Sequence, residues 1–242
     1  MKYFSSIICV FLLLISHSCF SENTENVLQM RTIAVAPYGI NTNGELSGIY
    51  YDLANKLLVK ADIESEHHIF PYGRIMHELK LGKTDLTIMF KYKELADYVD
   101  YIYPLPTLKN VVIGRKDTNF SSVKQLEKLS IAYLRGAKFS DDIDNNPEII
   151  KQTVSDFYQG LLMLKKGRVD AIIGPMAPII SAAKNLDLSR DFFGKPLIVS
   201  ERTPWLQLSK KSHHKVSAKQ LKNIFSQMMA QGELNNIQQK YQ

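Results

Sequence analysis

Two short segments of the chain carry residues of the type that bind anions. Pro71-Tyr72-Gly73-Arg74 stands at the predicted start of a helix, and Arg135-Gly136-Ala137-Lys138 at a predicted strand-to-helix turn. A helix start presents free N–H groups and a partial positive charge, and a guanidinium group adds two parallel donors that match a carboxylate. Both segments are therefore candidates for carboxylate binding, although a surface ion pair is the other interpretation of Arg135.

The histidines are poorly arranged for a metal site. His67 and His68 are neighbours in a predicted strand and so point to opposite faces, whereas His213 and His214 stand among lysines that repel a cation. The sequence contains no GxSxG, HExxH, P-loop or GxGxxG motif. We therefore expect no metal, no other cofactor, and a binding protein in preference to an enzyme.

The composition is that of an ordinary folded protein. The 242 residues are 45% hydrophobic and 22% charged, which fits one large domain or two small ones. The net charge of +6 is scattered over the sequence, with no basic block among aromatic residues. A nucleic-acid partner is therefore not expected.

The segment 1–21 is typical of a secretory signal. A positively charged start precedes the apolar run Ile7–Ile15, which is too short to span a bilayer, and small residues follow as far as Ser21. Both cysteines, Cys9 and Cys19, lie in this segment, so the chain after cleavage has no disulfide. We expect cleavage after Ser21 and export to a bacterial periplasm; acylation of Cys19 is the alternative.

Strand-like runs alternate with helical patterns along the rest of the chain, which indicates an α/β fold. The predicted strands are Arg31–Ala36, Glu66–Phe70, Leu86–Phe90, Val111–Gly114, Ser130–Leu134 and Val169–Ile173. Helices are predicted after Asp52, over Gly73–Leu81 and Pro175–Lys184, and after the capping residues Ser122, Ser155 and Ser217. No flexible linker separates these elements, so two lobes would be joined by structured segments.

Six segments in this order resemble the family 3 extracellular solute-binding proteins, the polar amino acid receptors of ABC transporters. They are Gly48–Ala54, Glu78–Leu86, Asp100–Pro104, Val111–Asp117, Leu164–Ile172 and Met229–Tyr241. The resemblance implies the type II periplasmic binding fold, in which two α/β lobes are joined by two crossing hinge segments and close on a solute like a Venus flytrap. It places lobe one at 27–107 and 201–242, and lobe two at 108–200.

The chain departs from the family pattern at three places that bear on specificity. The family clamps the α-carboxylate with an Arg after the third strand of lobe one, but no Arg occurs between Arg74 and Arg115. Pro175 stands where the family has an Asp for the α-amino group, and the Gly-Thr turn of lobe two is Gly136-Ala137. The usual pocket is therefore replaced or lost. In a replaced pocket Arg74 is the expected anion anchor, with Lys91 as its competitor.

Aromatic residues at strand ends or at the second crossing can sandwich a solute. The other interpretation is that Tyr38 and Tyr50 pack at the lobe surface and that Phe90 belongs to the core. The expected ligand contacts are Tyr38, Tyr50, Tyr72, Arg74, Phe90, Lys91, Arg135, Gly136, Ala137 and Trp205.

The resemblance implies a monomeric periplasmic protein that captures a small anionic or zwitterionic, amino acid-like solute. Its partner is either an ABC transporter permease or, for an orphan receptor, a sensor protein. One alternative is an enzyme on the same fold, such as a cyclohexadienyl dehydratase, with Glu94 or His77 as the acid–base group. Another is an interaction module whose cleft binds nothing.

Overall fold

The computed structural model describes residues 27–241, so the predicted signal segment and the acylation alternative at Cys19 lie outside the described residues. The strands are β1 (Leu28–Ile33), β2 (Ile40–Thr42), β3 (Glu45–Ser47), β4 (Ser65–Phe70), β5 (Leu86–Phe90), β6 (Val99–Pro104), β7 (Leu108–Gly114), β8 (Ser130–Leu134), β9 (Ile150–Val154), β10 (Ala171–Pro175), β11 (Leu197–Arg202) and β12 (Pro204–Ser209). The α-helices are α1 (Ile49–Lys60), α2 (Tyr72–Leu81), α3 (Asp141–Asp144), α4 (Phe157–Lys165), α5 (Met176–Lys184), α6 (Ala218–Ala230) and α7 (Glu233–Gln239). Within this range no helix has the length and apolar character needed to cross a membrane.

The strands form two five-stranded sheets, each the centre of one lobe. The order is β4-β1-β5-β12-β6 in lobe one and β11-β7-β10-β8-β9 in lobe two. In lobe one β1 runs parallel to β4 and β5, while β12 runs antiparallel to β5 and β6. This arrangement confirms the α/β fold class expected from the alternation of strands and helices.

The chain crosses between the lobes twice. Residues 105–107 connect β6 to β7, and Thr203 connects β11 to β12, so residues 201 and 202, which the resemblance places in lobe one, end the edge strand of lobe two. The two crossings lie side by side, because the hydroxyl groups of Thr107 and Thr203 are 2.7 Å apart. Two adjacent strand-like crossings of this kind form a hinge that lets the lobes rotate without unfolding either sheet.

Local sequence signals explain several helix ends, but two of the predicted capping residues were wrong. Helix α2 stops at Gly82, which has a left-handed φ of 76°, and the Ser217 hydroxyl caps α6 by accepting from the Gln220 amide. The prediction of Ser155 as a cap was wrong, because the Asp156 carboxylate accepts from the Gln159 amide and begins α4. Ser122 was also wrong as a side-chain cap. It precedes a short 3₁₀ turn and makes no capping bond.

Candidate functional site

A small cavity lies where the two lobes meet, at the carboxyl ends of β1, β5, β8 and β10. Its volume is about 10 Å³, which leaves room for about one water molecule. Its aromatic lining comes from both lobes and consists of Tyr38, Tyr50, Tyr72, Phe90, Phe139 and Phe157. Among the described residues no charged side chain lines it. The lobes are thus closed on each other, and their own rings fill the space between them.

Three rings of lobe one come from the turn after β1 and from the first turns of α1 and α2. Tyr38 lies in the turn after β1, and Tyr50 is the second residue of α1; their rings stack with centroids 4.3 Å apart and planes at 15°. Tyr72 opens α2 and meets the edge of the Tyr92 ring at a centroid distance of 6.1 Å. Burial raises the pKa of Tyr38, Tyr50 and Tyr72, so all three hydroxyls stay protonated and neutral.

A polar recess of about 730 Å³ adjoins this cavity, again between the lobes. It is lined by Tyr92, Lys93 and Glu94 of lobe one and by Lys138, Asp141, Asp144, Asn145 and Arg202 of lobe two. An ion pair crosses it, with the Lys138 ammonium 3.2 Å from the Glu94 carboxylate. The Asp144 carboxylate accepts a hydrogen bond from the Tyr133 hydroxyl. Charged groups therefore line the recess beside the apolar cavity.

Arg202 connects the lobes directly. It is the last residue of β11, and its guanidinium donates to the carbonyl of Lys138 in lobe two and to the carbonyl of Lys91 in lobe one. The same group lies 4.9 Å from the centroid of the Phe90 ring and 5.1 Å from that of the Tyr92 ring. The contacts with Lys91, Phe90 and Tyr92 reach lobe one and are made only while the lobes are closed, so Arg202 stabilises the closed arrangement.

Gly136 of lobe two lies close to the backbone of lobe one. Its φ is 76°, and a Cβ atom there would lie 3.3 Å from the Gly73 nitrogen at the start of α2. A left-handed backbone and a contact this short both favour glycine. Gly136 therefore lets the strand-to-helix turn of lobe two lie against the first turn of α2.

The family of the chain is decided by comparison with family models. The model of the bacterial extracellular solute-binding proteins, family 3, matches residues 31–242. The chain belongs to this family. The matched range includes the sheets of both lobes and both crossings, so the recognition made from the sequence is confirmed.

Two curated relatives share parts of the chain. It is 27% identical over 143 residues to ABC transporter arginine-binding protein 1 of Escherichia coli (strain K12), a match that covers 58% of each protein. It is 23% identical over 157 residues to the arginine-binding periplasmic protein of Mannheimia haemolytica, with 64% of each covered. The chain thus spans less than two thirds of the length of these relatives.

Solved structures agree on the fold. An ancestral arginine-binding protein bound to arginine superposes with a TM-score of 0.74 at 20% identity, covering 89% of this chain and 98% of that one. At this identity the similarity concerns the architecture alone. It confirms the two-lobe fold with two crossings that the family resemblance predicts.

Four of the predicted ligand contacts line the cavity of this family 3 protein: Tyr38, Tyr50, Tyr72 and Phe90. Ala137 is buried beside the lobe contact, and Gly136 faces Gly73. The structure brings these residues together, while their roles in ligand binding stay predictions.

The remaining four predicted contacts also lie outside the cavity lining: Arg74, Lys91, Arg135 and Trp205. Arg74 is exposed, with its Nε 2.8 Å from the Glu78 carboxylate and its guanidinium 3.3 Å from the centroid of the Phe70 ring. Lys91 turns its ammonium onto the Trp205 ring at 3.7 Å. Arg135 is exposed and forms no ion pair within residues 27–241.

The structure also shows residues that the sequence interpretation missed. Phe139 and Phe157 line the cavity from lobe two, and Tyr92, Asp144 and Arg202 line the recess. One sequence signal was available, since Arg202 lies next to the predicted boundary at which lobe two ends at residue 200 and lobe one resumes at 201. The others lie in short turns whose position between the lobes depends on tertiary structure.

Proposed function

We propose that this protein is a periplasmic solute-binding protein that captures a small anionic or zwitterionic, amino acid-like solute for an ABC transporter. The observation that carries this proposal is the aromatic cavity built jointly by both lobes of a family 3 fold. The names of the two curated relatives support an amino acid as the solute class. We further propose that the protein acts as a monomer.

The closed arrangement implies how a solute is captured. Because the protein's own rings fill the cavity, a solute enters only when the lobes separate about residues 105–107 and Thr203. Once inside, it favours the closed state by the contacts that it makes with both lobes there.

Arg74 remains the anion anchor proposed from the sequence, and its surroundings define what this role requires. Its guanidinium has to exchange the Glu78 carboxylate for the solute carboxylate. We expect Arg74→Lys, which keeps the charge and removes the planar fork, to weaken binding by about 1–3 kcal/mol, the range for charged hydrogen bonds, and Arg74→Ala to weaken it further. Equal affinity of Arg74→Ala and wild type would remove Arg74 from the site and make Lys91 the next residue to test.

We also propose that the protein is not an enzyme. Of the two acid–base candidates, the Glu94 carboxylate is paired with Lys138, and His77 is exposed on α2 outside the cavity lining. A steady-state assay with prephenate, the substrate of cyclohexadienyl dehydratases, should show no turnover. Product formation would support the enzymatic alternative.

A thermal-shift screen tests the binding function. The melting temperature should rise with the logarithm of solute concentration for at least one amino acid or organic acid, as native-state binding requires. A protein that no amino acid, organic acid or oligopeptide stabilises would contradict solute capture. Such a result would leave the interaction module as the better explanation.

A further inference from the structure

Two buried polar atoms in the recess between the lobes have no hydrogen-bond partner. Tyr92 is only 2% exposed, and its hydroxyl is unpaired. Across the recess, Oδ2 of Asp144 is buried and also unpaired. Buried polar groups in folded proteins are nearly always hydrogen-bonded, because leaving them unpaired lowers stability. Two such atoms facing one recess indicate that a ligand supplies the missing partner.

The charges around the recess indicate what kind of ligand this is. The positive groups nearest the cavity are already engaged, since Lys138 pairs with Glu94 and Arg202 donates to two backbone carbonyls. The acidic side is only partly engaged, because Tyr133 donates to one oxygen of Asp144 and leaves the other free. The open position is therefore an acceptor with negative charge.

Tyr92 offers a second acceptor at the same place. Burial raises the pKa of Tyr92, with the nearby charge of Arg202 opposing the rise, so the hydroxyl is neutral at physiological pH. A neutral phenol oxygen accepts a hydrogen bond from a cationic donor without adding charge. Tyr92 and Asp144 thus make a pair of acceptors, one from each lobe.

We infer that this recess binds the protonated amine of the solute, an ammonium or guanidinium group, between Asp144 of lobe two and Tyr92 of lobe one. The inference rests on the proposed function and specifies its solute class. The position at which the family resemblance expects an Asp for the amino group is Pro175, which cannot accept a hydrogen bond through its side chain. Asp144 takes over that task from a different element, α3.

The recess and the aromatic cavity lie next to each other, because residues that line one contact residues that line the other. The edge of Tyr92 meets Tyr72, and the Phe139 amide nitrogen lies 3.4 Å from the engaged oxygen of Asp144. Tyr72 and Phe139 both line the cavity. A solute with its amine in the recess can place its apolar part against these rings once the lobes separate, and Lys93, which also lines the recess, supplies a positive charge for the carboxylate of a zwitterion.

The test compares cationic and anionic probes on three variants. L-arginine, L-lysine, agmatine and L-glutamate are titrated by calorimetry into wild type, Asp144→Asn and Tyr92→Phe. The control is Asp142→Asn, which removes an exposed acidic side chain from the same helix outside the recess lining. We expect at least one amine-bearing cation to bind wild type. Its affinity should fall about ten- to a hundredfold in Asp144→Asn, as for a lost charged hydrogen bond, and less in Tyr92→Phe.

Four results overturn the inference, and they separate it from the proposed function. Binding of L-glutamate alone, or undiminished binding of a cationic probe by Asp144→Asn, refutes the amine site but leaves solute capture intact. An equal loss in Asp142→Asn attributes the effect to net charge. Binding of no probe and of no solute in the wider screen refutes the proposed function as well. Tyr92→Phe, which keeps the ring and the packing, carries the test if Asp144→Asn does not fold.

Discussion

Replacement of Arg202 is expected to open the solute-free protein. Arg202→Met keeps an unbranched side chain of similar length but removes the guanidinium that joins Lys91 and Lys138 across the lobe boundary. Only the bond to Lys91 crosses between lobes, since Lys138 and Arg202 both belong to lobe two. The variant therefore acts on the balance between the closed and open states through the bond to Lys91, and within lobe two it removes only the bond to Lys138.

The magnitude follows from the contacts that are lost. A hydrogen bond from a charged donor contributes about 1.5–3 kcal/mol, and the lower end applies here because Arg202 is half-buried and screened by water. Its contacts with the Phe90 and Tyr92 rings add about 0.5–1 kcal/mol. Together these give about 2 kcal/mol, so the ratio of closed to open protein should fall about thirtyfold.

Two observables report this change. Small-angle scattering should give a larger radius of gyration for solute-free Arg202→Met than for wild type. The fluorescence of Trp205, the only tryptophan of the sequence, should change as well, because Lys91 contacts its ring. The matched control is Arg190→Met, since the Arg190 side chain is exposed on lobe two and makes no ion pair within residues 27–241. Identical scattering and fluorescence for Arg202→Met and wild type would refute the role of Arg202.

Three further variants test the electrostatics and the lobe contact. Burial lowers the pKa of His67 from 6.5 to about 3, so the stability that the neutral ring provides at pH 7 is lost as the pH falls below 6.5. Urea unfolding should show about 2 kcal/mol less stability at pH 5 than at pH 7. His67→Gln should lose this pH dependence. Glu78→Gln leaves the buried guanidinium of Arg31 without its carboxylate at 3.4 Å, and unfolding should be easier by about 3 kcal/mol; an unchanged urea midpoint would contradict the pairing. Gly136→Val adds left-handed strain of about 1–2 kcal/mol and a side chain against Gly73, so scattering should show separated lobes. A compact Gly136→Val protein would show that this contact is not needed for closure.

The elements that were predicted well are those with local signals at both ends. The predicted bounds of Leu86–Phe90 and Ser130–Leu134 equal those of β5 and β8, since turn residues flank each apolar run. By contrast, β1 begins three residues before the predicted Arg31 and ends at Ile33. Its start depends on pairing with β4, and an isolated sequence does not show a partner strand.

The same distinction explains the site. The positions of Tyr38, Tyr50 and Tyr72 follow from the chain near them, because Tyr38 lies in the turn between β1 and β2 and the other two lie in the first turns of α1 and α2. Arg202 and Asp144 acquire their surroundings only when lobe two meets lobe one. The surroundings of Arg74, by contrast, are local, because the carboxylate that competes for its guanidinium belongs to Glu78, one turn later on the same helix.

A crystal structure of the protein with the solute that gives the largest thermal shift tests the central claim most directly. The account predicts electron density for the solute between the lobes, with an amine nitrogen within hydrogen-bond distance of Asp144 and Tyr92 and the aromatic rings of the cavity moved apart. Solute bound to the outer face of either lobe, with the cavity rings in place, would contradict it.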